Sequence, residues 1–318
     1  MIIRIIYIYV LIVLSLTQLC FGQQDIISTE ILIKNDSIKL PGTLSYNSNA
    51  AEQPLVIFVH GSGNIDRNGN QYMLANPNYI KQLNDSLVAK NIAFYRFDKR
   101  TATPENIKYV MKNMSFDTFV DDLNLVIDRF KDDRRFSTIT LIGHSQGSLV
   151  SMLVNHDHID HYISLAGPSN SIDISIIAQV KLQNGDSISN IVKSHFKELS
   201  EKRSIEKVDP NLMSLFNKPT QPFLASWLKY NPSEEIKKLK MPILILNGDK
   251  DLQVYVSDAE MLHKANPEST LVIIKNMNHV LKTIEKDSDN MASYQSPDFA
   301  LSQELIDTIT AFIKKQNG

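Results

Sequence analysis

The fold is decided by the stretch Thr138-Ile139-Thr140-Leu141-Ile142-Gly143-His144-Ser145-Gln146-Gly147. An apolar, β-prone run precedes the turn in this stretch, and a helical pattern follows it. The pattern Gly-x-Ser-x-Gly between a strand and a helix predicts a sharp turn that exposes a serine hydroxyl. Because neighbouring backbone passes close to such a turn, a side chain at Gly143 or Gly147 would clash there. The stretch therefore identifies Ser145 as a candidate nucleophile.

Short apolar runs and helical patterns alternate on both sides of this turn. A hairpin is predicted near the start of the chain, with two alternating strands on either side of Asn35-Asp36. Six later runs of strand length are apolar, which predicts strands buried on both faces, at 55–59, 92–97, 139–142, 162–165, 243–246 and 271–274. Helical patterns lie between them, at 79–89, 116–130, 146–154, 257–264 and 301–313. The alternation predicts an α/β fold, a mostly parallel sheet flanked by helices.

One interval departs from this alternation. Residues 169–235 contain no convincing buried strand, although they carry apolar and aromatic side chains such as Phe216, Phe223 and Trp227 among many charges. We interpret them as a helical insertion. Its position between two core strands, on the side where strands end, predicts a lid over a ligand crevice. An ordinary packed helical pair fits the same pattern equally well.

Around Ser145 the sequence resembles the α/β-hydrolase superfamily, in particular its esterase and lipase-like branch. The resemblance covers nearly all of residues 25–315 and implies that an acid and a histidine follow the serine in chain order. His263 and His279 are the two histidines that lie far enough downstream. His263 falls in a helical pattern, whereas His279 follows a predicted strand at the edge where the turn also lies. His279 is therefore the candidate base.

The acid is expected in the loop 247–254, which reads Asn-Gly-Asp-Lys-Asp-Leu-Gln-Val. The family pattern resembles Gly-x-x-Asp-x-x-Val, which implies Asp251. Asp249 competes, although a turn-capping role suits it better, and Asp173 would serve if the acid came from the preceding strand. In the implied triad the histidine takes the serine proton and returns it to the leaving group, while the acid orients the imidazole and stabilises its cation.

A second glycine turn follows the early strand, in Val59-His60-Gly61-Ser62-Gly63. The resemblance implies that the backbone amides of Ser62 and Gln146 form an oxyanion hole for the negative charge on the substrate carbonyl. Gly63 is the alternative to Ser62, and a glycine turn without a catalytic role is the alternative to both. His60 is interpreted as a structural support.

Charged residues flank the same edge of the predicted sheet. Asp66-Arg67 and the run Arg96-Phe97-Asp98-Lys99-Arg100 are predicted to form an ion network that braces the oxyanion loop, with recognition of a substrate carboxylate as the alternative. Thr101 stands where relatives often have glycine, which puts the conformation of that loop in doubt. The His and Asp side chains between His156 and His161 are predicted at the opposite edge from Ser145, and we interpret them as a solvated loop without a metal.

The composition excludes several classes of protein. Of the 318 residues, 43% are hydrophobic and 21% are charged, as in globular proteins. The 33 Lys and Arg residues face 35 Asp and Glu residues, so no basic surplus favours a nucleic-acid partner. The implied chemistry needs no metal, and no cofactor is expected.

The N-terminal residues predict export. Arg4 precedes an apolar run, and Gly22 offers a small residue for cleavage, so residues 1–22 are interpreted as a signal peptide and 23–318 as an α/β-hydrolase domain. This predicts a periplasmic or secreted protein. An uncleaved segment that anchors the protein in the membrane is the alternative. Cleavage would also remove Cys20, the single cysteine, and leave a chain without disulfides.

Taken together, these patterns predict an exported serine hydrolase that cleaves carboxylic esters of small molecules through an acyl-enzyme. A serine peptidase or amidase of the same fold is the first alternative, although the sequence shows no subsite for a substrate amino terminus. A noncatalytic binding module is the second.

Overall fold

The computed structural model describes residues 25–112 and 114–315. The predicted signal peptide lies outside the described residues, so its cleavage and the alternative of a membrane anchor stay predictions. Within the described ranges, no helix combines the length and the hydrophobicity that crossing a bilayer requires.

The described strands form one mixed sheet. They are β1 (Ile26–Asn35), β2 (Ile38–Asn47), β3 (Gln53–Val59), β4 (Ala93–Phe97), β5 (Phe136–His144), β6 (His161–Leu165), β7 (Ile243–Gly248) and β8 (Thr270–Ile274). Their order across the sheet is β1-β2-β4-β3-β5-β6-β7-β8. The pairs β1–β2 and β2–β4 are antiparallel, and all pairs from β4–β3 to β7–β8 are parallel. The prediction of a mostly parallel sheet is confirmed.

Helices connect these strands and cover both faces of the sheet. They are α1 (Tyr79–Val88), α2 (Ile107–Val110), α3 (Asp117–Phe130), α4 (Gln146–Met152), α5 (Ile172–Lys202), α6 (Met213–Phe216), α7 (Gln221–Trp227), α8 (Pro232–Glu235), α9 (Val256–Ala265), α10 (Asn290–Ser293) and α11 (Gln303–Lys315). The predicted helical patterns correspond to α1, α3, α4, α9 and α11.

The two faces of the sheet carry separate hydrophobic cores. In β3, Leu55 and Ile57 belong to the core that contains α3 and α4, whereas Val56 and Phe58 belong to the core that contains α1 and α11. Successive side chains of a strand point to opposite faces, so a strand covered on both sides reads as one continuous apolar run. This explains why β3 was visible in the sequence.

The last strand differs from that expectation. Thr270 is exposed and residues 271–273 are half-buried, so the prediction that every one of these strands is buried on both faces is wrong for β8. The reason is its place in the sheet: β8 lies at the edge and pairs with β7 alone. An edge strand has fewer neighbours to cover its side chains.

Residues 169–235, all of which the structure describes, contain helices α5 to α8 and no strand. Gly185 interrupts α5 with φ 80° and ψ −179°, so α5 consists of two helical segments. The second segment packs into the main core through Val192 and Phe196. The first segment packs against that core at its margin and also lines the cavity described below, with Ile172, Ile174, Ser175, Ile176, Ala178 and Gln179. The two parts of the insertion thus do different things, and the role of a lid stays a prediction.

Candidate active site

The sheet topology brings distant parts of the chain to one edge. The strands β3, β5, β7 and β8 run parallel, and their carboxyl ends lead into the glycine turn at 60–63, Ser145, Asp251 and His279, respectively. Because carboxyl ends of parallel strands share an edge, these segments lie side by side, in the crevice where such sheets bind ligands.

The turn at Ser145 is sharp and strained. Ser145 adopts φ 53° and ψ −121°, a conformation that costs a residue with a side chain on the order of 1–3 kcal/mol. A Cβ at Gly143 would lie 2.5 Å from the carbonyl oxygen of Gly147, and one at Gly147 would lie 2.2 Å from that of Val59. These approaches are possible only for glycine. The Ser145 amide donates to the Leu165 carbonyl at 2.9 Å, which holds the turn against β6.

Asp251 and His279 form a buried pair. Their Oδ2 and Nδ1 atoms are 2.7 Å apart, and both residues are 5% exposed. The other oxygen of Asp251 accepts the backbone N–H groups of Gln253 at 2.8 Å and Val254 at 3.0 Å. Since a carboxylate can only accept, Nδ1 of His279 carries the proton and Nε2 is left as the basic nitrogen.

The competing candidates lie elsewhere. Asp249 accepts the backbone N–H of Asn276 at 2.6 Å, a capping contact that suits its interpretation as a turn residue. Asp173 accepts the Ser171 hydroxyl at 2.5 Å in the first turn of α5. His263 hydrogen bonds to the hydroxyl of Ser269 at 2.9 Å. Asp251 is therefore the candidate acid that the structure places on the ring of His279.

Ser145 and His279 line the same cavity. Among the described residues, the Ser145 hydroxyl has no hydrogen-bond partner. Hydrogen bonds between a nucleophile and its base are often long before substrate binds, so this geometry suits a resting site. The glycine turn after β3 touches the serine, because a Cβ at Gly61 would lie 3.1 Å from the Cβ of Ser145.

The two predicted oxyanion amides are available to a ligand. Within residues 25–112 and 114–315, neither the Ser62 nor the Gln146 backbone N–H donates a hydrogen bond. Gln146 is the first residue of α4, where N–H groups have no partner inside the helix. His60 is buried and its Nε2 bonds to the Phe97 carbonyl, and burial lowers the pKa of His60 to about 4. It is neutral and supports the turn.

Sequence reasoning missed His144, the residue before the candidate nucleophile. Its Nε2–H donates to the His279 carbonyl at 2.8 Å, and its Nδ1 accepts the Tyr79 hydroxyl at 3.3 Å. Burial lowers the pKa of His144 to about 3, so the ring is neutral and keeps this tautomer. His144 therefore ties the backbone of His279 to the serine turn. Its place inside Gly-x-Ser-x-Gly was the available signal.

The charged run after β4 does not form the single ion network that was predicted. Arg67 holds Asp98 through two hydrogen bonds, of 2.9 and 3.0 Å. Arg100 instead pairs with Asp122 of α3 at 2.6 Å, away from the glycine turn. Lys99 reaches the glycine turn, but through a carbonyl and not through an acid. The charged side chains thus divide into Arg67, which pairs with both Glu30 and Asp98, a separate Arg100–Asp122 ion pair, and one buried lysine.

Two further details of these loops are resolved by the structure. Among the described residues Asp66 has no ion-pair partner; its carboxylate accepts the backbone N–H groups of Asn68 at 2.8 Å and Asn70 at 2.9 Å. Thr101 is absent from the described non-glycine residues with positive φ, so its backbone does not require the glycine common in relatives.

The His and Asp side chains at 156–161 are dispersed. His156 bonds to the Ser151 carbonyl at 2.8 Å, and Asp160 accepts the Ile139 N–H at 2.8 Å. His161 is buried in β6, so the interpretation of the whole segment as solvated is wrong at that position. In the part of the chain that the structure describes, no three His, Cys, Asp or Glu residues are grouped as metal ligands.

The cavity beside Ser145 has a volume of about 790 Å³. Its large apolar lining side chains come mainly from the insertion and α4, and include Leu149, Ile172, Ile176, Leu215, Phe223, Leu224 and Trp227. Its polar lining residues include Gln71, Tyr294 and Gln295. A cavity of this size accommodates an organic molecule larger than an acetate ester.

Positive charge is missing from this cavity. Its lining residues, all described, include neither Lys nor Arg, and Asp258 is the carboxylate among them. Oδ1 of Asp258 accepts the N–H of Ser169 at 2.9 Å and its hydroxyl at 2.7 Å. The cavity therefore offers no partner for a substrate carboxylate, and the alternative of carboxylate recognition finds no support here.

A mostly parallel sheet whose strand ends bring together a serine turn and an Asp–His pair defines an α/β hydrolase, of the esterase branch that the sequence resembles. Residues 44–265 match the BD-FAE family, which is more than half of the chain. The protein belongs to this family.

The chain is similar in sequence or in fold to several known esterases. Esterase EstD of Thermotoga maritima is 25% identical over 248 residues, which cover 76% of this chain and 58% of that protein. This chain thus spans less than two thirds of that relative's length. Among solved structures, Est1E from Butyrivibrio proteoclasticus is 19% identical with a TM-score of 0.58, covering 90% of this chain and 98% of its own. Esterase Pf2001 from Pyrococcus furiosus is 17% identical with a TM-score of 0.56, covering 93% and 92%. These two structures share the fold.

Proposed function

We propose that this protein is a serine esterase that cleaves carboxylic esters through an acyl-enzyme. The observation that carries the proposal is the buried Asp251–His279 hydrogen bond of 2.7 Å, in the cavity that Ser145 also lines. Family membership and the relationship to esterase EstD support the same activity.

The proposed reaction begins with Ser145. Its Oγ attacks the ester carbonyl carbon while Nε2 of His279 takes the hydroxyl proton. The carbonyl oxygen becomes negative and is held by the amides of Ser62 and Gln146, each worth on the order of 3 kcal/mol in related enzymes. The imidazolium, stabilised by Asp251, returns the proton to the alcohol oxygen as the C–O bond breaks. Water, activated by the same histidine, then hydrolyses the acyl-enzyme.

The cavity favours uncharged esters with an apolar group. Its apolar lining side chains suit an acyl chain or an aromatic ring, and the absence of Lys and Arg among its described lining residues disfavours an anionic substrate. The structural neighbour Est1E binds ferulic acid. We therefore propose apolar or aromatic acyl groups for this protein as well.

A fluorophosphonate probe tests the nucleophile. We expect the wild type to be labelled at one serine and to release p-nitrophenol from p-nitrophenyl esters with an initial burst. Ser145→Ala should lose both labelling and turnover. Labelling that persists in Ser145→Ala would refute the assignment, and ligand binding by the wild type without any burst would favour a noncatalytic module.

A substrate panel separates ester from amide cleavage. The panel comprises p-nitrophenyl esters from C2 to C16, methyl ferulate and aminoacyl p-nitroanilides. We expect turnover of the esters and little of the anilides, because the family match and the similarity to esterase EstD both favour ester cleavage. Turnover of the anilides alone would establish a peptidase instead.

We also propose export, on the basis of residues 1–22. Expression of the full chain in a bacterial host, followed by fractionation and N-terminal sequencing, tests this. A soluble product that starts near Gln23 is expected, whereas a product retained in membranes with an intact N-terminus would support the anchor.

A further inference from the structure

Lys99 is a buried lysine next to the proposed oxyanion hole. It follows β4, and its backbone N–H donates to the Ile65 carbonyl at 3.3 Å while its carbonyl accepts the Ala102 N–H at 2.7 Å. The residue is 6% exposed. Lysine is almost never buried unless its charge is compensated, so a lysine at this position calls for an explanation.

The ammonium group makes two short hydrogen bonds. Nζ donates to the Gly61 carbonyl at 2.8 Å and to Oε1 of Gln146 at 2.6 Å. It also lies 4.4 Å from the centre of the Phe119 ring, a favourable cation–π distance. One nitrogen therefore joins the glycine turn after β3 to the first residue of the helix after Ser145.

No acid neutralises this ammonium among the described residues. Asp98, its neighbour in sequence, is held by Arg67, and Asp122 on α3 is held by Arg100. His60, which also lies close, is neutral because burial lowers its pKa to about 4. Burial lowers the pKa of Lys99 itself to about 7. The amine is thus only partly protonated at neutral pH, and a buried group whose pKa is shifted this far, beside a cavity, is a candidate functional group.

The two acceptors have a special relationship to the proposed oxyanion donors. The carbonyl of Gly61 and the N–H of Ser62 belong to the same planar peptide group. A hydrogen bond to that carbonyl fixes the plane of the peptide and hence the direction of the N–H. It also polarises the peptide and makes the N–H a stronger donor. Gln146, the second acceptor, is the residue that supplies the other amide.

We propose that Lys99 is the positioning residue of the oxyanion hole: it fixes the Gly61–Ser62 peptide and Gln146 relative to each other and, in its protonated form, adds positive charge behind the two amides. This inference rests on the proposed esterase function. Its effect belongs to the transition state, where the carbonyl oxygen becomes negative, and only weakly to substrate binding.

Lys99→Met tests this inference, because methionine has a similar length and fills the space beside Phe119 while it removes the amine and both of its hydrogen bonds. Active sites are first counted with the fluorophosphonate probe, so that kcat is expressed per labelled serine. We expect kcat to fall roughly 10- to 100-fold while KM changes less than about 3-fold. Binding of a trifluoromethyl ketone, which forms a tetrahedral adduct with an oxyanion, should weaken by a similar factor. Lys264→Met, at an exposed site on α9, is the matched control and should leave both values unchanged.

Gln146→Met provides a second test if Lys99→Met does not fold. It removes one acceptor and keeps the backbone amide, so kcat should fall by roughly 3- to 10-fold, again with little change in KM. The experiments distinguish failure of the esterase proposal from failure of the proposed role of Lys99. A wild type that is neither labelled nor active refutes the esterase, whereas an active wild type whose folded Lys99 and Gln146 variants retain full kcat and ketone affinity refutes the role of Lys99.

Discussion

The carboxyl edge of the sheet, where the strands end at the candidate site, and the helical insertion differ in how closely their backbone is packed. At the edge, a Cβ at Gly147 would lie 2.2 Å from the Val59 carbonyl oxygen, so backbone packs directly on backbone. In the insertion, a Cβ at Gly185 would meet nothing within 4 Å, although its φ of 80° is a glycine conformation. The carboxyl edge of the sheet thus has no space for an added side chain at Gly147, whereas the insertion has space for one at Gly185.

This difference separates two tasks. The reacting groups need positions fixed within a fraction of an ångström, and close-packed strand ends supply them. Substrate selection needs a surface that can change without disturbing the reacting groups, and the first segment of α5 supplies part of it. Substitutions at the edge should therefore abolish catalysis, while substitutions in the insertion should redirect it.

The largest effect is expected at Asp251. In Asp251→Asn the amide oxygen stays with the N–H groups of Gln253 and Val254, and the NH2 group that replaces Oδ2 donates to Nδ1 of His279. The ring proton then lies on Nε2, which can no longer accept the serine proton. We expect kcat to fall by about 10⁴-fold with the fold intact, as such a change does in related triads. Steady-state rates with p-nitrophenyl butyrate and a thermal unfolding curve measure the two properties.

Asp249→Asn is the matched control, two residues away. Asp249 caps the Asn276 amide, and asparagine retains an oxygen that can accept this hydrogen bond. The rate should stay within about 3-fold of the wild type. A loss at Asp249 as large as the loss at Asp251 would mean that the acid has been misassigned.

A methyl group at Gly147 should come next in size. Gly147→Ala places a Cβ against the Val59 and His60 carbonyls, and the strand cannot move away without disturbing the sheet. We expect the free energy of unfolding to fall by at least about 3 kcal/mol. Urea unfolding followed by circular dichroism measures it.

Gly185→Ala measures the effect of an added methyl group in the insertion, for comparison with Gly147→Ala. Its cost comes from backbone strain alone, because no atom obstructs the new methyl group, and it should be of order 1–2 kcal/mol. If the two variants are equally destabilised, the contrast in packing between edge and insertion is wrong.

The buried neutral histidines beside the site predict that the free energy of unfolding falls at acidic pH. Burial lowers the pKa of His60 to about 4, so below pH 6.5 the unfolded chain binds a proton that the folded chain does not. Stability from this residue is complete above pH 6.5 and is lost as the pH falls toward 4, by up to about 1.4 kcal/mol per pH unit. In His60→Phe this contribution disappears, so urea unfolding at pH 7, 6, 5 and 4.5 should show a flatter decline.

The matched control is His158→Phe, at an exposed position in the loop before β6. Its stability should decline with pH in parallel with that of the wild type. A His60→Phe curve that is also parallel would show that the ring is not held neutral by its surroundings.

How far the sequence predicts this site depends on the distance over which each contact acts. The serine turn was predictable because its strand, glycines and helix are adjacent in the chain. The contacts of His144 and Lys99 were not, since they join residues 135 and 38 positions apart, respectively. Only the pairing of β3, β4, β5 and the loop after β8 brings these groups together, and one sequence does not reveal which buried lysine meets which carbonyl.

The insertion was predictable as helical but not in its use. A lid and a packed helical pair need the same apolar periodicity, so the pattern cannot separate them. In the structure, Val192 packs into the core while Ile174 is half exposed and lines the cavity, and the role of a lid stays a prediction. The prediction that β8 is buried on both faces was wrong for a related reason. The composition of β8 resembles that of the central strands, and the local sequence does not show where in the sheet a strand lies.

The smallest effect, and the sharpest test of selection by the insertion, is expected at Ile174. This residue is 50% exposed and lines the cavity on α5. In Ile174→Ala, kcat/KM for a C8 or longer ester should fall about 2- to 5-fold, because apolar area is lost from the acyl contact, while that for the acetate ester should not change. Leu182→Ala lies on the same helix, is 71% exposed and does not line this cavity, so its ratio of long-chain to acetate activity should equal the wild-type ratio. An equal loss of kcat/KM for both esters in Ile174→Ala would show that this part of α5 supports the fold and does not select the substrate.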